Sequence, residues 1–268
     1  MQSPERARHT RMRTGPSPFH PNYLSLRNNL QTFREFSAQI SSGSNVTVLD
    51  VGCGSKPFLP LIPEGVLYVG VDFDSKTAAD VHAVNEALPI RDACVDAVIA
   101  SETLEHTFDV QKAVNEILRV CKDGSLIYIS VPFLYPIHNP PYDFQRLTSY
   151  RLKALFAEHR ILQFSPANTL FSAWLVILGE TIAYCSYYLP YSDILRALPI
   201  FLLNSLARVI EGCARGAWSL IERLGWGPWC LARAERRNML GFWHAMPIGY
   251  AMIVRVKKDV APQPLEQR

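Results

Sequence analysis

Apolar residues along this chain fall into two kinds of pattern. Nearly continuous apolar runs at 46–51, 66–72, 95–100 and 125–131 suit strands covered on both faces. Between the last two of these lies the clearest helix, 109–121, in which Val110, Val114, Ile117 and Leu118 form one stripe. Asp109 is placed to cap it, and Asp123-Gly124 is expected to end it. Upstream, Leu24, Leu26, Leu30, Phe33 and Phe36 predict a helix or a pair of turns over Tyr23 to Ile40, leaning on the sheet. Downstream, Thr148 is an N-cap for a helix over 149–158, a strand follows near Arg160 to Phe164, and the best final strand is Ile248 to Val256. Such alternation implies an α/β chain with a doubly wound, mostly parallel sheet.

The segment 168–244 interrupts that alternation before the last strand with apolar, helical sequence. Leu170 to Leu189 is almost uncharged and nearly long enough to cross a bilayer, but Glu180 at its centre would cost about 2.5–3.5 kcal/mol there. A second helix is predicted to start at Pro199 and run to Leu224. It sets Asn204, Arg208, Glu211, Arg215, Ser219 and Glu222 on one stripe, opposite Leu206, Val209, Ile210, Cys213, Leu220 and Ile221. The polar stripe is narrow and carries both signs of charge, which favours a helical subdomain or a homodimer interface over simple adsorption to a membrane. Trp218, Trp226, Trp229 and Trp243 keep a peripheral membrane contact open. The expected organisation is a flexible basic tail at 1–22, a core at 23–167, the helical insertion at 168–244, the last core strand at 245–258 and a tail at 259–268.

Chemistry concentrates where the first two strands end. In VLDVGCGSKP, Val48 to Pro57, Gly52 and Gly54 allow a sharp turn and a close backbone approach to a ligand. The second strand, YVGVDFD from Tyr68, ends with Asp72 and Phe73, and Asp72 is placed to accept two hydrogen bonds from a ribose diol. A dinucleotide fingerprint would need glycine where Pro57 stands, and no G-x-x-x-x-G-K-[ST] loop is present, so diphosphate ligands are disfavoured.

What remains, Asp50-x-Gly52-x-Gly54 with Asp72 after the next strand, resembles the cofactor motif of class I S-adenosylmethionine-dependent methyltransferases, in particular the type 11 domain. Leu88-Pro89-Ile90, Val95 to Ser101, Leu104-Glu105-His106 and Leu118 to Gly124 are similar to successive motifs of that family, in order, so that the likeness covers roughly residues 46–164. The segment PFLYPIHNPPYDFQRLT after the fifth strand resembles a subset of bacterial members often associated with surface-glycan clusters. The resemblance implies a Rossmann-like methyltransferase fold, S-adenosylmethionine as cofactor and S-adenosylhomocysteine as product. Asp50, Gly52, Gly54, Asp72, Phe73, Ser101 and Glu102 are the expected cofactor-binding positions. Two departures stand out: Lys56 replaces a frequent third glycine, so that the loop sits slightly farther from the cofactor or its ammonium approaches the methionine carboxylate, and Asn85 or Glu86 could substitute for a missing adenine-side aspartate.

In an open parallel sheet ligands bind beyond the carboxyl ends of the strands. Four loops should therefore converge: Gly52 to Phe58, Asp72 to Lys76, Ser101 to His106 and Pro132 to Arg146. Methyl transfer from a sulfonium needs alignment and, for a hydroxyl acceptor, a base; His106 and His138 are the candidates, with Asp143 to orient His138 and Arg146 to pin Asp143 or the loop backbone. The other reading of both histidines is structural, holding the loops together. Tyr135 and Tyr142 are read as loop packing, and His82, His159 and His244 fall outside the expected cleft.

Composition narrows the picture without changing it. The 268 residues carry a net charge of +3, with the excess in Arg6, Arg8, Arg11 and Arg13 among prolines, read as a solvated tail and not a specific nucleic-acid site. Six cysteines form no C-x-x-C and have no histidine at finger spacing, so they predict neither a metal site nor a disulfide framework. The start lacks the apolar core of a secretory signal, which places the chain in the cytoplasm, with a peripheral position on the inner face of the membrane as a variant. The expected activity is methylation of an oxygen or nitrogen on a small molecule, glycan or lipid-linked acceptor. The alternatives are a non-catalytic binding or scaffold protein of the same fold and, less favoured because of Pro57, a nicotinamide oxidoreductase.

Overall fold

The structure, a computed structural model, describes residues 4–186, 192–224 and 247–258. The described residues form two compact units: 4–14, 29–165 and 250–258 make the first, and 15–28, 166–186, 192–224 and 247–249 the second.

The first unit is built on a seven-stranded sheet in the order β3-β2-β1-β4-β5-β7-β6. Its strands are β1 (Thr47–Val51), β2 (Leu67–Asp72), β3 (Val81–His82), β4 (Val95–Ser101), β5 (Cys121–Pro132), β6 (Arg160–Pro166) and β7 (Gly249–Arg255). Parallel pairing joins β3 to β2, β2 to β1, β1 to β4 and β4 to β5, with Val48 opposite both Tyr68 and Ala97. The last strand runs the other way. Val256 exchanges hydrogen bonds with Gly124 and Ser125 at the start of β5, whereas Tyr250 packs on Phe133 just past its end and on Phe164 in β6. Strand order therefore reverses between β1 and β4, which opens a crevice beyond their carboxyl ends.

Two apolar layers close the sheet. On one side α3 (Val110–Val120) buries Val110, Val114, Ile117 and Val120 with Leu152 and Phe156 around α4 (Ser149–Leu155). On the other, Phe33 and Phe36 of α2 (Tyr23–Ser37) meet Phe58 and Tyr128, with Phe33 stacked on Phe58 at 4.2 Å. The predicted caps hold, since Asp109 accepts the Lys112 N–H at 3.0 Å and Thr148 accepts that of Arg151 at 3.2 Å. The helix end does not fall at Asp123-Gly124. β5 begins at Cys121, directly after α3, and both residues lie inside that strand at an irregularity in its pairing with β4, where Gly124 has φ 76° and donates to the Val256 carbonyl. The segment expected to be a flexible tail is also helical over Pro4–Thr14 (α1).

The second unit pairs α5 (Leu170–Ser186) with α6 (Ser192–Arg223). Pro199 does not start α6 but lies inside it. The polar stripe of α6 is turned inward at two positions. Glu211 is buried and accepts the Ser172 hydroxyl at 2.6 Å, and Asn204 donates to the carbonyls of Pro18 at 2.8 Å and His20 at 2.9 Å. Leu198, Leu202, Leu206, Val209 and Leu220 are exposed. The amphipathic assignment thus fails at Asn204 and Glu211, where buried carbonyls and hydroxyls in this unit need partners, while Arg208, Arg215 and Glu222 of the same stripe remain exposed. The predicted positions Trp226, Trp229, Trp243, His244 and Cys230 lie outside the described residues.

Candidate active site

The crevice at the reversal point is a cleft of about 620 Å³. All four strand-end loops supply its walls, among them Gly52, Gly54, Asp72, Phe73, Asn85, Ser101, Glu102, Thr103, His106 and Tyr142, and Arg13 of α1 contributes a cation.

The turn after β1 is held from both sides. The Gly52 N–H donates to the Val71 carbonyl at 2.8 Å, and the Gly54 N–H donates to Asp72 Oδ2 at 2.8 Å. Both glycines have positive φ, 70° and 50°. A Cβ on Gly52 would stand 2.1 Å from Thr103 Oγ1, whereas one on Gly54 would meet no protein atom within 4 Å. Gly52 is therefore required by packing, and Gly54 presents bare backbone to the cleft. Asp72 also accepts the Asp74 N–H on Oδ1 at 3.0 Å, which leaves a lone pair on each oxygen for a ligand.

Asp50, one strand inward, is fully buried and bonded to the Tyr68 hydroxyl. Burial pushes its carboxyl up to about 7, and the nearby Asp72 charge acts in the same direction. Lys56 does not reach into the cleft. Its ammonium pairs with Asp80 at 2.5 Å and lies 5.8 Å over the Tyr68 ring, so the expected approach to a methionine carboxylate is replaced by a tie between the glycine turn and the loop after β2. Of the two adenine-side candidates, Asn85 lines the cleft and donates to Thr103 Oγ1 at 3.1 Å. Glu86 points elsewhere, accepting the N–H groups of Phe108 and Asp109 ahead of α3.

At the end of β4, Ser101 bonds the Ser130 hydroxyl at 2.9 Å, and Glu102 adopts φ 51° in the cleft wall. Lys56, Glu102 and Asn139, three of the four non-glycine residues with positive φ among those described, sit in the cleft loops. Leu104–His106 then form a single 3-10 turn, onto which the β5 loop is sewn. The Phe144 N–H donates to the Glu105 carbonyl at 3.0 Å, and Gln145 bridges the carbonyls of Leu104 and Thr107.

This stitching brings the two predicted histidines together, with ring centroids 4.8 Å apart. His106 Nδ1 meets the Tyr142 carbonyl at 2.9 Å. His138 Nδ1 lies 3.3 Å from both Asp143 Oδ2 and the Pro136 carbonyl, and its backbone N–H donates to Asp143 at 2.9 Å. Arg146 grips Asp143 through both oxygens, at 2.5 and 2.7 Å, and also bonds the Tyr135 and Pro136 carbonyls. That fork holds the Asp143 carboxyl down to about 2. The predicted trio of His138, Asp143 and Arg146 is thus assembled in one loop, while His106 joins it from the neighbouring strand end. His82 and His159 do not line the cleft.

One residue was missed by the sequence reading. Glu105, 1% exposed, lies between the histidines with His106 Nε2 at 3.7 Å and His138 Nε2 at 3.8 Å from Oε1. Neither of its oxygens has a donor within 3.5 Å; burial raises its pKa, against the opposing pull of His138 and His106. The acid between Leu104 and His106 was in view, but only the fold shows that it faces inward.

Strand order, the antiparallel β7, the glycine turn and the carboxylate of Asp72 define a Rossmann-like fold with a strand-end cleft, similar to that of class I S-adenosylmethionine-dependent methyltransferases. Residues 49–129 match the family model described as a methyltransferase domain. A probable S-adenosylmethionine-dependent methyltransferase of Mycolicibacterium smegmatis is 33% identical over 96 residues, covering 32% of this chain and 37% of that protein. An uncharacterised methyltransferase of Mycobacterium leprae is 36% identical over 96 residues, 31% of this chain and 36% of its own length. The chain thus spans little more than a third of the length of these curated relatives. A solved S-adenosylmethionine-dependent methyltransferase from Archaeoglobus fulgidus aligns with a TM-score of 0.49 at 16% identity, over 93% of this chain and 99% of that one. The cleft fits the cofactor that such methyltransferases use: an open glycine backbone, a carboxylate with lone pairs to spare, and walls that include Asn85 and the Phe73 ring, which meets Tyr142 edge to face at 5.1 Å.

Proposed function

We propose that the protein transfers a methyl group from S-adenosylmethionine to an oxygen or nitrogen of a small-molecule, glycan or lipid-linked acceptor. The observation that carries this reading is the pairing of the Gly54 N–H with Asp72 in a cleft onto which the Gly54 backbone opens. Asp72 would hold the ribose hydroxyls, Phe73 and Asn85 the adenine side, and Gly52 and Gly54 the methionine end. When bound, the cofactor supplies an electrophilic methyl on a sulfonium, so the chain must align the acceptor and let it shed a proton. His106, in the cleft wall, is the group positioned for that task, with Glu105 and His138 beside it and Asp143 as a positioning residue behind His138.

The exposed apolar face of α6 supports a lipid-linked or otherwise apolar acceptor and a peripheral seat on the inner membrane surface. An 18-residue window within its segment Arg196–Arg223 has a mean hydropathy of 1.4, yet only 22% of that window is buried. Calorimetry with S-adenosylhomocysteine tests the cofactor assignment, and an acceptor screen with isotopically labelled S-adenosylmethionine tests the activity. Absence of saturable S-adenosylhomocysteine binding would overturn both, and binding without transfer to any acceptor would favour the scaffold reading.

A further inference from the structure

Glu105, His106 and His138 come from two loops after adjacent strands, and their ligand-type atoms lie within 4.8 Å of one another. The arrangement has a specific polarity. Each Nδ1 faces an acceptor, the Tyr142 carbonyl for His106 and the Asp143 carboxylate with the Pro136 carbonyl for His138. In the neutral rings those acceptors select the Nδ1–H tautomer, which leaves each Nε2 lone pair on the side of the Glu105 carboxylate. Both Nε2 atoms and a buried carboxylate with no donor within 3.5 Å then face a common point, which either protons on the rings or a cation can neutralise. Left alone, such a group is costly, because a buried charge needs a partner or a cation.

We propose that Glu105 Oε1, His106 Nε2 and His138 Nε2 bind a first-row divalent transition-metal ion. Two ligand atoms at about 2.1 Å from a tetrahedral ion stand about 3.4 Å apart; the two nitrogen–oxygen separations exceed that by only a few tenths of an ångström, and the set as a whole, within 4.8 Å, must close around the ion by rotation of the His138 ring or the Glu105 carboxylate. Imidazole donated at Nε2, with Nδ1–H bonded to a carbonyl or carboxylate, is the usual outer arrangement around such ions. Two nitrogens and one carboxylate favour Zn²⁺, Co²⁺, Fe²⁺ or Mn²⁺ over Ca²⁺ or Mg²⁺. His138 is 31% exposed in its side chain, so solvent reaches the open side of the site. Arg146 and Asp143 act behind it by holding His138 in place.

The role of the ion rests on the methyltransferase reading; its binding does not. In that role the ion would hold the acceptor oxygen and lower its pKa, the proton would leave to solvent, and the imidazoles would serve as ligands and not as the base.

The test uses the full-length protein stripped with a chelator and then titrated with Zn²⁺, Co²⁺, Mn²⁺ or Mg²⁺ alone. Zn²⁺ is expected to bind at one equivalent, and Co²⁺ to give visible d–d absorption. Glu105→Gln, His106→Asn and His138→Asn should each weaken binding about 10–100-fold or more, while His82→Asn leaves it unchanged. A second readout needs no variant: in imidazole ¹⁵N spectra of the wild-type protein, two of the seven histidines should shift with Zn²⁺ and keep their Nδ1–H protons. No Zn²⁺-induced shift, or equal binding by the Glu105→Gln and wild-type proteins, overturns the proposal. Calorimetry with S-adenosylhomocysteine in the same preparation keeps the two readings apart, since its failure removes the methyltransferase reading and leaves the ion site standing.

Discussion

Asp72 at the end of β2 accepts the backbone N–H of Gly54 in the turn after β1, at 2.8 Å, so two separate strand ends share one hydrogen bond at the cleft. The carboxylate therefore shapes the turn as well as facing the ligand. Asp72→Ala should abolish S-adenosylhomocysteine binding in calorimetry, whereas Asp72→Asn, which keeps one acceptor oxygen, should retain the turn and lose affinity only in part. Undiminished affinity in Asp72→Ala would remove the central cofactor assignment.

The two glycines of the turn should separate stability from binding. Gly52→Ala drives a methyl to 2.1 Å from Thr103 Oγ1 and should lower the unfolding free energy by a few kcal/mol, measured by urea denaturation. Gly54→Ala meets no protein atom and should cost about 1 kcal/mol for its positive φ, yet it should weaken S-adenosylhomocysteine binding at least tenfold. Equal effects of both substitutions on stability would contradict the geometry.

Asp50 predicts a pH dependence of opposite sign to the usual carboxylate. Its folded pKa, about 7, lies above the ordinary value of 3.8, so the native state binds this proton more tightly than the unfolded chain. The stabilisation is complete below about pH 4 and is lost as pH rises toward 7. Asp50→Asn should flatten that stretch of the stability–pH curve in thermal denaturation. A curve as steep as wild type would show that Asp50 is not the group responsible.

Asp143 titrates in the ordinary direction. Arg146 holds its carboxyl at about 2 against the usual 3.8, so the pair stabilises the loop above about pH 4 and loses that contribution as pH falls toward 2. Arg146→Ala should loosen the segment 133–146, raising its amide exchange at pH 7, and the difference from wild type should shrink near pH 2. Unaltered exchange at pH 7 would mean that Pro136, Tyr135 and the stitching at Phe144 suffice without the fork.

The face of α6 carries its own expectation. Leu206→Glu with Val209→Glu replaces exposed apolar side chains and should lower retention on anionic vesicles severalfold without changing the thermal midpoint. The opposite pattern, lost stability with unchanged vesicle retention, would show that these residues pack against protein.

Much of the first unit was legible because its strands are buried on both faces and its helices are capped by side chains, features written in consecutive residues. β1, β2, β4 and the helix after Asp109 lie close to their expected positions, and the converging loops follow from parallel topology. Local signals were insufficient where a competing partner decided the outcome. Lys56 found Asp80, and Glu86 found the N–H groups ahead of α3. α6 shows the same limit, since Asn204 and Glu211 were drawn inward by carbonyls and hydroxyls that no periodicity count can see.

By itself, then, the sequence determined the α/β alternation, the glycine turn and the acidic strand end, because each depends on backbone conformation and on neighbours a few residues away. Only the tertiary structure decided which side chains share a point in space. It set His106 beside His138, buried Glu105 between their Nε2 atoms and turned the apolar face of α6 outward. Those relationships depend on the packing of loops from different strands, where a side chain's direction is fixed by long-range contacts and desolvation and not by its place in a motif.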